Sequence, residues 1–231
     1  MREIKLSESQ PKQRLLAAAE QLFAEKGFES VAVRDVTQLA KANVAAVNYH
    51  FGSRDGLVAL VVARYLAPFN QERLERLDVL ERRAPGKVVP IEEIVHALVR
   101  PLIGMVGKSE LSEALFCKLM GGIFALPEEA LSLPMVEQVK VLNNRFIRAL
   151  GKSLPTVSQE ELQWRMHFLV GSLVHLLRHQ EWLKSLSNGA SGSPSLEVTL
   201  GRFVRFAAAG LREGVEIEVE ANRGPQVMFD F

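Results

Sequence analysis

The chain has 231 residues, 48% of them hydrophobic and 24% charged, and a mean hydropathy of +0.07, a globular composition rather than a disordered, collagenous or membrane one. A single cysteine, Cys117, excludes an intrachain disulfide framework, and MREIKLSESQPKQ lacks the basic, apolar and small-residue succession of a secretory signal, so the sequence reads as cytosolic. With 28 Lys plus Arg against 27 Asp plus Glu, global charge argues for no nucleic-acid partner, and charges or His interrupt every apolar stretch before it reaches bilayer-spanning length.

Helical periodicity runs through the chain and predicts an all-α fold. Leu15, Leu16, Ala19, Leu22 and Phe23 form one apolar stripe over about residues 10–26, which Gly27 ends in the left-handed region. Val33, Val36, Leu39 and Ala40 make a short second helix. Val44, Val47 and Phe51 make a third after the Lys41-Ala42-Asn43 connection, with Asn43 as its N-cap. Ser53 caps the next helix, whose stripe of Leu57, Leu60, Val61 and Tyr65 meets Pro68; a kink is expected there, with continuation towards Leu80.

ERRAPGKVVP is the clearest break, and helical stretches follow near 90–107, 110–126, 134–151 and 158–186. SNGASGSPS, residues 187–195, is a linker by composition. A last helix near 195–213 repeats Leu196, Leu200, Phe203, Ala207 and Leu211 on one face, with small Ala208, Ala209 and Gly210 beside it. In the tail, Val215, Ile217 and Val219 alternate with Glu in a strand-like pattern, although a lone strand is marginal in water. The expected layout is a unit of short helices over 1–52, a larger helical unit over 53–214, and a tail over 215–231.

Three short helices, the last two joined by a three-residue turn, have the spacing of a helix-turn-helix, although a helical subdomain with solvated charges has the same spacing. The third helix carries the chemistry. Asn43, Val44, Ala45, Asn48, Tyr49 and His50 combine small residues that permit close approach with polar groups of the kind that reach phosphates or base edges, and Arg34, Lys41 and Arg54 supply cations around them.

QRLLAAAEQLFAEKGFESVAVRDVTQLAKANVAAVNYHFGSRDGL, residues 13–57, resembles the DNA-binding domain of TetR-type transcriptional repressors. The resemblance implies a homodimer that binds palindromic double-stranded DNA operators and is released by a small ligand. It places Asn43 to Ala45 and Tyr49 at the groove, His50 and Arg54 on phosphate, and Val47 and Phe51 towards the core. Three positions depart from the family pattern. Val31 and Ala32 stand where hydroxyls usually cap the second helix, Lys41 stands where Gly is frequent in the turn, and Asn48 replaces a common aromatic or aliphatic residue.

Farther on, RYLAPF, FCKLMGGIF and QWRMHFLVGSLVHLL are similar to the fatty-acid-responsive PsrA-type branch, which implies a long-chain fatty acid or acyl-CoA effector. Phe69, Leu102, Met105, Phe116, Leu119, Met120, Phe124, Phe146, Trp164, Phe168 and His175 offer aromatic and Met surface, with Gly104, Gly121, Gly122 and Gly171 leaving room. Such a stripe also describes plain core; the resemblance is what favours a cavity. Candidate partners for an acidic head group are Arg100, Lys118, Arg165 and Arg178.

The stretch 158–186 is apolar on two faces. Leu162, Met166, Leu169, Leu173 and Leu176 fall together, and Trp164, Phe168, Gly171 and His175 lie opposite. The expectation is a four-helix subunit interface built from Leu169, Leu173, Leu176, Leu200, Phe203, Ala207, Ala208 and Leu211, against the alternative of a monomeric bundle. Two rival functions are a helical protein-interaction adaptor and an enzyme holding a metal on His167, His175 and His179. The second lacks carboxylate or Cys ligands at suitable spacing, and no phosphate loop, nucleophile elbow or acid pair is present, so neither catalysis, cofactor nor metal is expected.

Overall fold

Apolar residues three and four apart must be covered on one side, and that requirement organises the chain from its first helix. The computed structural model describes residues 11–192 and 194–213, and every regular element among them is helical. The strand-like alternation at 215–219 lies outside the described residues. The N-terminal helices are α1 (Pro11–Lys26), α2 (Val33–Leu39) and α3 (Val44–Phe51). Leu15, Ala19 and Phe23 of α1, Val36 of α2 and Val47 of α3 are buried together, and Gly27 leaves α1 with φ +84°.

Helix α4 (Arg54–Arg83) starts at its Ser53 cap, whose hydroxyl accepts from the Gly56 N–H at 3.0 Å, and runs 30 residues through Pro68. Proline has no N–H to give the carbonyl four residues back, but Pro68 is exposed and the helix continues past it. Helix α4 packs on α1 and α3 at its start and on α5 (Ile91–Val99) and α8 (Leu133–Ser153) farther along, so it belongs structurally to both halves of the molecule. Phe69, Phe116 and Phe146 are fully enclosed in the same core; each such ring contributes about 1.5–3 kcal/mol by leaving water.

Two stretches expected to be single helices are divided. The one near 90–107 splits into α5 and α6 (Pro101–Val106), because Pro101 removes the N–H that would continue the ladder. The stretch near 158–186 splits into α9 (Gln159–Arg178) and α10 (Gln180–Leu186) at His179, with φ −125° and ψ 28°, where the sequence carries no breaker. Helix α10 buries no residue and exposes Trp182, Leu183 and Leu186.

Helix α7 (Glu113–Phe124) lies between α1 and α9. A Cβ on Gly121 would stand 2.7 Å from Arg178 Cγ and 3.1 Å from Leu177 Cβ, and one on Gly122 would stand 3.2 Å from Phe28 Cε2. These glycines make room for neighbouring side chains, not for a ligand, and Gly104 and Gly171 face open space.

The two faces of α9 are placed opposite to the sequence expectation. Leu169 and Leu173 are buried inside the subunit, as are Leu200, Phe203, Ala207, Ala208 and Leu211 of α11 (Leu196–Arg212), and Leu176 is half-buried against the same core. Trp164, Phe168 and His175 lie on the outer face of α9 instead of facing a cavity. Helical periodicity identifies two stripes; which of them meets the rest of the subunit depends on where α7, α8 and α11 sit.

Candidate nucleic-acid interface and ligand cavity

The cap fixes the start of α3: Asn43 Oδ1 accepts from the Ala46 N–H at 2.8 Å. Before it, Lys41 holds φ +50°, the left-handed turn conformation that favours glycine. With Val47 fully buried and Phe51 packed against the core, the opposite side of α3 is presented outward. Asn43, Val44, Ala45 and Asn48 are exposed there, and Tyr49 is 85% exposed. The half-buried His50 meets the Tyr49 ring edge-on at 4.9 Å, while Arg34 and Lys41 are exposed beside it.

Arg54 has a different occupation. Its Nε donates to Val31 O at 3.0 Å and its Nη2 to Phe28 O, clasping the α1–α2 connection to the start of α4. The missing hydroxyl cap on α2 is visible too. Ala32 offers no side-chain acceptor, and the surviving half of the capping arrangement is Asp35 Oδ2, which accepts from the Ala32 N–H at 2.8 Å.

Beyond the Arg54 clasp and the packing of α3 on α4, two further sets of contacts tie these helices to the rest of the chain. Tyr65 on α4 donates to Glu20 Oε2 on α1 at 2.8 Å, and Arg64 Nη1 lies 3.3 Å from Glu20 Oε1. Burial raises the Glu20 carboxyl above the usual carboxylate range, partly opposed by the Arg64 charge and the tyrosine hydroxyl. The other is α7 against α1, with Phe28 packed over Gly122.

The walls of α4, α5, α7, α8 and α9 enclose a cavity of about 320 Å³. Its lining is mainly aliphatic and aromatic, including Leu66, Ile123, Leu142, Met166 and Leu173. Of the eleven residues expected there, Phe124 and Phe146 line it. Phe69, Leu102, Phe116, Leu119 and Met120 are fully buried core, Met105 is half-buried, and Trp164, Phe168 and His175 face outward.

The polar groups of the cavity are ones the sequence reading missed: Asn70, Arg73 and Asn143, with a Lys140–Glu128 ion pair at 3.7 Å. The cations expected to serve an acidic head group are elsewhere. Arg100 pairs with Glu197 at 2.7 Å, Arg165 binds Glu161 and the Leu211 carbonyl, and Lys118 and Arg178 are exposed. Arg73 carries one legible signal, its place four residues after Phe69 and four before Leu77, both on the buried side of α4. A wider groove between α4 and α5, about 1020 Å³, is lined by Glu72, Glu75, Arg76, Arg83 and His96 and so does not suit an apolar molecule.

The His175 and His179 rings lie 4.9 Å apart, and among the described residues no three His, Cys, Asp or Glu side chains gather as a metal site would require. No helix among them is long and apolar enough to cross a membrane.

Two family models match the chain, and together they take up more than two thirds of it: residues 15–61 match the bacterial regulatory proteins of the tetR family, and residues 96–210 match the tetracyclin repressor-like C-terminal domain. The HTH-type transcriptional repressor NicS of Pseudomonas putida is 26% identical over 127 residues, 53% of this chain and 60% of NicS. The regulator HbdR of an Aromatoleum strain is 26% identical over 84 residues, 36% of this chain and 34% of HbdR. The chain thus spans about 60% or less of the length of these curated relatives. Among solved structures, the fatty acid degradation regulator FadR from Bacillus halodurans superposes with a TM-score of 0.56 at 14% identity, over 91% of this chain and 98% of that one. AmtR of Mycobacterium smegmatis gives 0.56 at 19%, over 89% and 87%. At those identities the likeness is one of fold. The two domain matches, in the order in which the helices occur, place the chain in the TetR family of bacterial regulatory proteins, with a helix-turn-helix DNA-binding domain followed by a tetracyclin repressor-like C-terminal domain.

Proposed function

We propose that the chain is a cytoplasmic homodimeric repressor whose two copies read a palindromic operator through α3 and are released by a small apolar effector in the C-terminal cavity. The observation that carries this reading is the outward face of α3. Tyr49 is 85% exposed directly beyond the fully buried Val47, and a large amphipathic side chain held out on a capped, core-anchored helix has no task within the subunit. Residues 1–52 act as the reader and 53–214 as the effector and pairing unit. Groove contacts come from Asn43, Val44, Ala45, Asn48 and Tyr49, and phosphate contacts from Arg34, Lys41 and His50. Arg54, engaged with two carbonyls, supports the reader instead.

The second copy covers the outer faces of α9 and α11. Trp164, Phe168 and Phe206 are 53%, 63% and 70% exposed, and aromatic exposure of that extent is unusual on a monomer. Gly171, Gly201 and Gly210 on the same faces allow close approach. In a two-fold arrangement each helix meets its own counterpart, giving a four-helix contact.

For the effector, the apolar lining of the cavity supports a molecule with an acyl chain, in keeping with the fatty-acid regulator among the structural relatives. The cavity and the reader share walls. Helix α4 contributes Leu66 to the cavity and Tyr65 to the Glu20 contact, and α7 contributes Phe124 to the cavity and Gly122 to the Phe28 contact. A ligand that shifts α4 or α7 therefore shifts α1, and with it the separation of the two recognition helices. Operator fragments selected from sheared genomic DNA provide the test. Specific binding should fall by about 1–3 kcal/mol in Tyr49→Ala if it reads a base edge. Unchanged specificity in that variant overturns the assignment of α3.

A further inference from the structure

Arg73 is the one cationic side chain of the cavity placed in its interior, 8% exposed. Its Nε donates to Leu98 O at 2.7 Å and its Nη1 to Asn70 Oδ1 at 3.4 Å, and its guanidinium carbon lies 3.8 Å from the centre of the Phe69 ring and 5.4 Å from that of Phe124. A guanidinium has five N–H donors. The Nη2 group of Arg73 has no hydrogen-bond partner, and no carboxylate lies within ion-pair distance of the side chain among the described residues. Glu128, the acid that shares the cavity lining, is bound to Lys140 and largely exposed.

A buried charge without a counter-ion is costly, and proteins pair it or neutralise it. Phe69, Phe124 and the Leu98 carbonyl supply only ring and dipole interactions. Burial lowers the Arg73 pKa to about 9, still on the charged side of neutrality. The cavity thus combines an apolar lining with guanidinium donors that the two hydrogen bonds of Nε and Nη1 leave available, in a geometry that matches a carboxylate.

We infer that the ligand of this cavity is an amphiphilic carboxylate that enters as the free anion, with its carboxylate on the Arg73 guanidinium, which Asn70 helps to orient, and its hydrocarbon part among Leu66, Met166 and Leu173. The inference rests on the effector reading above and narrows it. A coenzyme A thioester places a neutral carbonyl where the anion is needed, and a cavity of about 320 Å³ is at the small end for ligand sites. The free acid is the form that fits.

Titration calorimetry on the full chain without DNA, using decanoate, decanol, decanoyl-CoA and decyltrimethylammonium, tests the inference. Decanoate should bind at least about tenfold more tightly than decanol and more tightly than decanoyl-CoA, and the cation should not bind. In Arg73→Met the preference for decanoate over decanol should vanish while decanol binding persists. Equal affinity for decanoate and decanol in the parent protein, absence of decanoate binding, or a preference retained in Arg73→Met overturns it. The parent comparison decides even if the variant does not fold. Operator titrations separate the two proposals: decanol releasing the operator as well as decanoate leaves the effector reading standing and removes the anion, whereas tight decanoate binding without any change in operator affinity does the reverse.

Discussion

The recognition helix and the helices of the C-terminal unit use exposure in opposite ways. Helix α3 buries a single valine and shows water a mixed surface of Asn, Ala, Tyr and partly His. Helices α9 and α11 bury aliphatic stripes and leave Trp164, Phe168 and Phe206 outside. On the proposed reading, α3 meets a hydrated, charged duplex, and such a surface keeps polar groups and small side chains, because its contacts form and break with water present. On the same proposed reading, the outer faces of α9 and α11 are hidden between two copies and are free to carry rings. Buried area within one subunit is the wrong guide to both.

The largest expected effect separates the two sides of α11. Ala208 is fully buried and Phe206, two residues away, is 70% exposed. Ala208→Glu places an unpaired charge in packed core and should cost several kcal/mol, so that circular dichroism shows an unfolded or aggregated chain. Phe206→Glu, combined with Phe168→Glu, should leave the helical signal intact and give a monomer by sedimentation. A folded dimer in that double variant moves the interface off α9 and α11.

How much of this was legible in the sequence follows from the range of the contacts involved. The start of α3 rests on Asn43 and Ala46, and the turn before it on Lys41, all within six residues; motif and spacing reach that far. The Gly27 stop is therefore available from local pattern, and the turn at Lys41 and the inward Val47 from the family resemblance. The cavity rests on Leu66, Leu98, Phe124, Phe146 and Leu173, which come together from five helices. A stripe of rings on α9 looks the same in sequence whether it faces a ligand, a core or a second subunit, so the pattern of Trp164 and Phe168 does not distinguish a cavity wall from the outer face they occupy. Arg73 stands in a charged run, NQERLERL, and such a residue reads as solvated surface until α5 and α7 cover it.

A smaller effect distinguishes support from contact within the reader. Arg54→Ala removes two charge-assisted hydrogen bonds to the α1–α2 connection; since its side chain is 35% exposed, the loss is about 2 kcal/mol rather than the sum of two buried bonds. Stability and operator affinity should fall together in that variant. Tyr49→Ala should change stability by no more than about 0.5 kcal/mol, because the outward ring is 85% exposed and meets only the edge of His50, and lower operator affinity alone. Denaturant midpoints set against fluorescence anisotropy check the pair. If Arg54→Ala keeps full stability, the arginine belongs with the phosphate contacts.

The smallest effect tests whether the turn trades stability for binding. Lys41 holds φ +50°, a conformation that costs a residue with a Cβ about 1 kcal/mol. Glycine removes that cost but adds about 0.5–1 kcal/mol of freedom to the unfolded chain. Lys41→Gly should therefore gain no more than a few tenths of a kcal/mol. The same change deletes an exposed cation beside α3, and if Lys41 touches a phosphate the slope of log affinity against log salt should shrink by about one. Lys41→Ala supplies the control, since it keeps the strained backbone and loses the charge: it should match Lys41→Gly in salt slope and fall below it in stability. Equal salt slopes in the parent and both variants would mean that the lysine is tolerated in the turn without being used there, and the phosphate contacts would then be left to Arg34 and His50.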